Sequence, residues 1–205
     1  MVNTILFDFG DVFINKNNKA KQDALAALGV TQWNTALDNL EDHFERGAIS
    51  EHDFLKGIQQ YSNNASLNAI RDAWNAGIKD FPLKRLEFLQ KLSHNYRLFL
   101  LSNTDTIHIE KFEDDAGPSF YGDFYRCFEK VYFSHEIGLR KPDYEAFRYV
   151  MNKHEIQPKR ALVVDDKKQN TDAAAALGFQ TWTLNPEKED VTQLFKKKVL
   201  SLHEV

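Results

Sequence analysis

Asp8 closes the apolar run VNTILFDF, and Gly10 follows it, so a carboxylate stands at the end of a buried segment with a turn directly behind it. The arrangement recurs: Ser102 and Asn103 close YRLFLLSN, and Asp165 and Asp166 close ALVVDD. In open parallel sheets ligands sit outside the carboxyl ends of the strands, which makes polar residues directly after apolar runs the candidates for chemistry. A further element, GLRKPD at 138–143, sets Arg140 and Lys141 just before a helix whose first turn holds Pro142 and Asp143. Any one of these is equally a turn or a helix cap. Together, in one chain, they point to a site.

If the sheet brings Asp8, Asp165 and Asp166 together, like-charge repulsion allows the cluster only with a cation or a proton among them. Magnesium is the natural cation: it takes oxygen ligands and usually keeps waters, one or two carboxylates and a substrate phosphate oxygen. Lys141 adds the positive charge that a phosphoryl group requires, while the Ser102 hydroxyl and nearby backbone N–H groups can donate to its oxygens. An aspartate in such a place can act as a nucleophile and form an aspartyl-phosphate that water then hydrolyses. Mg2+ offsets the repulsion between carboxylate and phosphate dianion.

The elements that must position these groups follow from the apolar pattern. Short runs rich in Val, Ile, Leu and Phe at 2–9, 96–101, 130–133, 161–164 and 180–184 read as buried strands. Helical patterns at 83–92, 106–115, 144–153 and 170–177 alternate with them, predicting an α/β fold with a parallel sheet covered on both faces. The stretch 15–81 contains no convincing strand and reads as an all-helical insert of about four helices. Ser50 to Asp53 resembles a capping box, Gly29, Gly47 and Gly77 punctuate helix ends, and Pro82 marks the return to the sheet. FKKKVL at 195–200 reads as the solvated face of a final helix.

These residues in this order resemble the motifs of the haloacid dehalogenase-like (HAD) superfamily, and specifically the helical-cap branch that includes sugar-phosphate phosphatases. The strings SHEIGLRKPDYEAF at 134–147, DDKKQNTDAAAALGF at 165–179 and FERGAISEHDF at 44–54 carry the finer match. The resemblance implies a Rossmann-like core of residues 1–14 and 82–205 with an inserted cap of 15–81. It implies Asp8 as nucleophile and magnesium held by Asp8, the Gly10 carbonyl and the Asp165–Asp166 pair. It further implies phosphate contacts from Ser102, Asn103 and Lys141, with Asn170 supporting the metal-binding loop.

One departure stands out. Phosphatases of the family keep a second aspartate two positions after the nucleophile to protonate the leaving alcohol and then activate water; here that position is Gly10. General acid–base help is worth about 10²–10⁴-fold, or roughly 3–5 kcal/mol. A branch with Gly at this position exists, and Asp11 is a candidate substitute acid, with a turn residue or cap acceptor as the alternative. A haloacid dehalogenase-type hydrolase, which needs no such acid, and a catalytically weak protein that binds a phosphorylated ligand or partner are the other readings. His43, Arg46 and His52 read as packing or solvated residues, Trp33 and Trp74 as core of the helical insert, His108 and His135 as structural, and Arg140 as a phosphate aid or a partner for Asp143.

The bulk properties agree with a small phosphorylated metabolite as partner. The chain has 205 residues, 42% of them hydrophobic and 27% charged, with a formal net charge of -4, so no nucleic-acid surface is expected. No apolar stretch approaches the roughly 20 residues that span a bilayer, so no membrane association is expected. The single Cys127 forms no internal disulfide, and no signal-peptide pattern opens the chain, so the expected compartment is the cytoplasm.

Overall fold

The computed structural model describes residues 1–197. Thr4–Phe7 (β1), Arg97–Ser102 (β2), Lys130–Phe133 (β3), Ala161–Asp165 (β4) and Gln180–Thr183 (β5) form one sheet, in the order β3-β2-β1-β4-β5. Every pairing is parallel, with Ile5 opposite Leu98 on one side and Leu162 on the other. The order reverses at β1, whose neighbours β2 and β4 carry the chain outward in opposite directions. A crevice therefore opens beyond the carboxyl end of β1, where Asp8 lies.

The strands read as continuous apolar runs because both sheet faces are covered. Ile5, Phe7, Leu98, Leu100, Leu162 and Val164 pack into one cluster, against Leu83–Leu92 (α5), Thr106–Ala116 (α6) and Pro118–Arg126 (α7). Leu6, Phe99, Leu101 and Val163 pack into the opposite cluster, which receives Phe147 and Val150 from a helix over Tyr144–Lys153 and Ala173 and Ala174 from one over Lys168–Ala176. Each Val, Leu, Ile or Phe side chain so buried contributes about 1.5–3 kcal/mol relative to exposure.

The insert forms helices at Asn18–Ala27 (α1), Thr35–Glu45 (α2), Glu51–Gln59 (α3) and Leu67–Asn75 (α4). Asn17, Asn34, Ser50 and Ser66 each cap one of them by accepting a backbone N–H. Gly29 and Gly47 follow α1 and α2 with φ of +98° and +64°, while Gly77 follows α4 outside the left-handed region. The bundle has its own core around Leu37, Phe54, Ile58, Ile70 and Trp74, into which Ile107 of α6 also projects.

Two chain segments join the bundle to the sheet, and they bond to each other. Asn15 N–H donates to the Asp80 carbonyl at 2.9 Å, Lys79 N–H to the Asn15 carbonyl at 2.9 Å and Asn17 N–H to the Gly77 carbonyl at 2.8 Å. On the far side, Arg46 reaches Asp143 at 2.8 Å, and Arg140 reaches Asp42 at 3.1 Å and also Glu45. Arg140 thus pairs with the bundle and not with Asp143, because the partners approach across about 95 residues of chain, a distance that local spacing does not report. A Cβ on Gly47 would lie 2.1 Å from the His135 carbonyl oxygen, so only glycine permits this approach.

Other details differ from the sequence reading at element ends. The last α-helix begins at Lys168 rather than 170, and β4 runs on to include Asp165. The aromatic-rich α7 and the short helix Ser134–Ile137 (α8) had no expectation attached. Trp33, read as bundle core, is instead 36% exposed and stacks on the buried Trp74. Of the lysine-rich segment, residues up to 196 end a 3-10 turn spanning Val191–Lys196, and 198–200 lie outside the described residues. Among the described residues no helix is long and apolar enough to cross a membrane.

Candidate active site

The sheet delivers the strand-end residues to one place. Carboxylate oxygens of Asp8, Asp165 and Asp166 lie within 4.8 Å of one another. Lys141, only 2% exposed, donates from Nζ to Asp8 Oδ1 at 2.9 Å and to Asp165 Oδ2 at 2.6 Å. Its main chain is clamped by Asn103, whose side-chain amide donates to the Lys141 carbonyl at 2.7 Å and whose Oδ1 accepts the Lys141 N–H at 2.9 Å. The Asn103 side chain is therefore committed to holding Lys141. Ser102 is buried beside it and borders the cavity.

The two aspartates after β4 differ in their surroundings. Asp165 Oδ1 accepts from Lys167 N–H at 2.9 Å and Asn170 Nδ2 at 3.0 Å, and Oδ2 accepts from Asn170 Nδ2 at 3.0 Å besides Lys141. Asp166 is half-buried, borders the cavity, and forms no hydrogen bond among the described residues. One ammonium serves both Asp8 and Asp165, so the cluster carries an excess of negative charge that a hard divalent cation fits.

The electrostatics express the same deficit. Burial pushes Asp8 up, but the Lys141 ammonium, its hydrogen bond and the charge of Lys167 outweigh this and hold the carboxyl below its ordinary value. Burial pushes Asp165 up; Lys141 counters this, and the neighbouring Asp8 charge adds to it. Burial and then the charges of Asp8 and Asp165 push Asp166 up to about 7. Lys141 is raised despite its burial, by the two carboxylates that it joins.

A cavity of about 770 Å³ lies above this cluster, between sheet and bundle. Phe9, Gly10, Ser102 and Asp166 border its floor, and Gln22, Thr31, Trp33, Asp38 and Glu41 its far wall. Asp11 also borders it, in a left-handed turn with φ of +56°, where Oδ1 accepts the Lys16 N–H at 2.9 Å. His108 meets buried Asp105 at 3.1 Å through Nδ1 and the Trp74 carbonyl at 3.2 Å through Nε2, so both ring nitrogens are engaged. His135 Nδ1 meets the Thr104 carbonyl at 3.0 Å. His43 and His52 lie exposed on the bundle.

Lys16, Lys167, Asp38 and Glu41 border the cavity without having been expected there. Lysines and acids on helical or turn segments carry no mark that separates an inward from a solvated position. Only the closeness of Lys16 to the first strand end, six residues after Gly10, was available as a hint.

An open parallel sheet with a buried lysine among carboxylates at its switch point, roofed by a helical insert, defines a Rossmann-like α/β architecture with a polar, cation-demanding centre. Residues 2–178 match the haloacid dehalogenase-like hydrolase family, and the chain belongs to it. D-ribitol-5-phosphate phosphatase of Bacteroides thetaiotaomicron is 26% identical over 193 residues, covering 89% of this chain and 91% of the relative. The structure of a HAD family enzyme from B. thetaiotaomicron, in complex with magnesium and inorganic phosphate, superposes with a TM-score of 0.83 at 31% identity, covering 95% of this chain and 100% of that one. A predicted HAD-like family hydrolase from Porphyromonas gingivalis gives a TM-score of 0.83 at 27% identity, over 98% of this chain and 100% of that one.

Proposed function

We propose that this hydrolase is a magnesium-dependent phosphomonoesterase acting on a small phosphorylated metabolite, a sugar or polyol phosphate, through an aspartyl-phosphate on Asp8. The carrying observation is the buried Lys141 ammonium shared by Asp8 and Asp165, at 2.9 and 2.6 Å, beneath a cavity large enough for such a substrate. The similarity to a protein named D-ribitol-5-phosphate phosphatase supports the substrate class. So do the polar far wall and its acceptors Asp38 and Glu41, which suit hydroxyl groups.

In this reading Asp8, the Gly10 carbonyl and Asp166 hold Mg2+, and Asp165 keeps Lys141 and the following turn in place. The cation, when bound, offsets the repulsion between the Asp8 carboxylate and the phosphate dianion. Asp8, kept ionised by Lys141, attacks phosphorus, and the bond to the leaving oxygen breaks. Lys141 and Ser102 donate to the phosphoryl oxygens, Asn103 keeps Lys141 aimed, and Asn170 restrains Asp165. Water then releases phosphate and restores Asp8. The segment 15–81 acts as the cap that excludes bulk water, over a core of 1–14 and 82 onward. Asp11 shapes the turn after Asp8, a role consistent with its bond to Lys16 N–H.

Purified protein should release inorganic phosphate from p-nitrophenyl phosphate and from a panel of sugar and polyol phosphates with Mg2+. EDTA or Asp8→Asn should abolish the release. Halide release from haloacids without a metal requirement, and no phosphate release, would overturn the proposal in favour of a dehalogenase.

A further inference from the structure

Position 10 lacks a carboxylate, but the space that one would fill is occupied. A Cβ added to Gly10 would lie 2.9 Å from Lys16 Cδ and 3.2 Å from Lys16 Nζ. The side chain of Lys16 therefore fills the space beside Gly10 and brings its ammonium to where a residue-10 side chain would project. The backbone of Lys16 is fixed by Asp11 Oδ1 at 2.9 Å and by its bridge to Ile78, so the approach is built into the turn. Among the described residues the ammonium has no hydrogen bond and no ion pair, and it borders the same cavity as Ser102, Asn103 and Asp166.

Lys21, Arg140 and His108, which also border the cavity, are engaged. Lys21 lies 4.0 Å over the Trp74 ring and 3.7 Å from Glu41, Arg140 is paired with Asp42 and Glu45, and His108 has both nitrogens occupied. Lys167 is exposed and follows the Asp165–Asp166 pair; the three atoms nearest to a Cβ on Gly10 all belong to Lys16 and none to Lys167.

Resting on the phosphomonoesterase reading, we infer that Lys16 is the catalytic residue that protonates the leaving oxygen, doing from six residues away what the absent side chain at position 10 does not. As the Asp8–phosphorus bond forms and the bond from phosphorus to the leaving oxygen breaks, the ammonium passes one proton to that oxygen, giving the free alcohol and a neutral amine. In the second half the amine takes a proton from the attacking water. The Asp8–phosphorus bond breaks, inorganic phosphate leaves, and the ammonium and the Asp8 carboxylate are both restored.

The test compares two leaving groups. p-Nitrophenolate departs without protonation, whereas a polyol alkoxide does not. Lys16→Met should lower kcat/KM, which reads only the steps up to departure of the leaving group, by about 10²-fold or more on a polyol phosphate and by less than about fivefold on p-nitrophenyl phosphate. Lys16→Arg, which keeps the charge but does not give up its proton, should rescue little of the polyol activity. Gly10→Asp alone should gain nothing, since the new side chain meets the lysine. In the Lys16→Ala background it should raise polyol phosphate turnover at least about tenfold over Lys16→Ala. Circular dichroism checks that each variant is folded.

An equal loss on both substrates, no loss on either, or full activity of Lys16→Arg would overturn the assignment while leaving the phosphomonoesterase intact. Lys167→Met reproducing the selective loss in place of Lys16→Met would overturn it as well. A wild-type protein inactive on both substrates with Mg2+ takes down the phosphomonoesterase reading and this one with it.

Discussion

Trp74→Phe tests how the helical insert is fastened to the sheet. Trp74 belongs to α4 and is fully buried; its Nε1–H donates to Asp105 Oδ2 at 3.1 Å, and Asp105 caps α6 by accepting the His108 N–H at 2.9 Å. Burial pushes Asp105 up, but His108 and Trp74 outweigh it and hold the carboxyl below its ordinary value, so the indole donates to an ionised group. Losing a hydrogen bond to a buried charge costs about 1.5–3 kcal/mol. Replacing indole by phenyl leaves roughly 40 Å³ unfilled, worth about 1 kcal/mol if the bundle does not collapse onto it. The expected destabilisation is about 3 kcal/mol, measured by urea denaturation at pH 7, with a Tm lower by about 6–12 °C. In an Asp105→Asn background the hydrogen-bond part weakens, so the cost of Trp74→Phe should fall toward the packing part alone. A coupling of about 1–2 kcal/mol is expected from the double-mutant cycle. Additive effects, or a single-variant cost below 1 kcal/mol, refute the idea that this contact fastens the two parts.

Two other perturbations have outcomes fixed by the geometry. Asp190 accepts from Thr192 N–H at 3.1 Å, Lys84 at 3.0 Å and Arg85 at 3.1 Å, and these outweigh its burial to lower its pKa from 3.8 to about 2. Its ionised form therefore stabilises the fold above about pH 4 and stops doing so as the pH falls toward 2. Asp190→Asn should cost about 1–2 kcal/mol at pH 7, with the gap to wild type closing across that acidic window in pH-dependent denaturation. Gly47→Ala should cost about 1–3 kcal/mol and raise KM for p-nitrophenyl phosphate, because its Cβ would meet the His135 carbonyl at 2.1 Å and its φ is +64°. Gly122→Ala, in α7 with nothing within 4 Å, should be neutral or slightly stabilising in the same thermal melt, and equal effects of the two would sink the argument.

The parts of this protein that were legible in the sequence are those where the local pattern reports burial. Lys130–Phe133, Leu83–Leu92 and Tyr144–Lys153 have the bounds that their apolar periodicity predicts. Asp8, Asp165 and Asp166 group in the sequence because a polar residue after a buried run has few places to go but the sheet's carboxyl edge, and Lys141 joins them from the GLRKPD element ahead of a helix. Contacts that depend on how the bundle docks were not legible. Arg140 could not be matched to Asp42 and Glu45, nor Trp33 assigned to a cavity wall, because both depend on a relative placement that no local spacing encodes. Lys16 escaped for a different reason: a lysine in a polar turn looks like any solvated lysine until the glycine opposite it is seen to leave room.

The bonded pair of chain segments beneath the bundle also constrains how its length can change. Because 15–17 and 77–80 are zipped to each other by alternating donors and acceptors, their lengths are tied. A residue inserted into one of them throws the bonds on one side of the insertion out of register and disturbs the placement of Lys16 beside Gly10, whereas residues inserted beyond α1 or before α4 leave both in register. Any graft of a different helical insert onto this sheet must therefore keep both segments as a matched set, and its junctions belong on the bundle side of them.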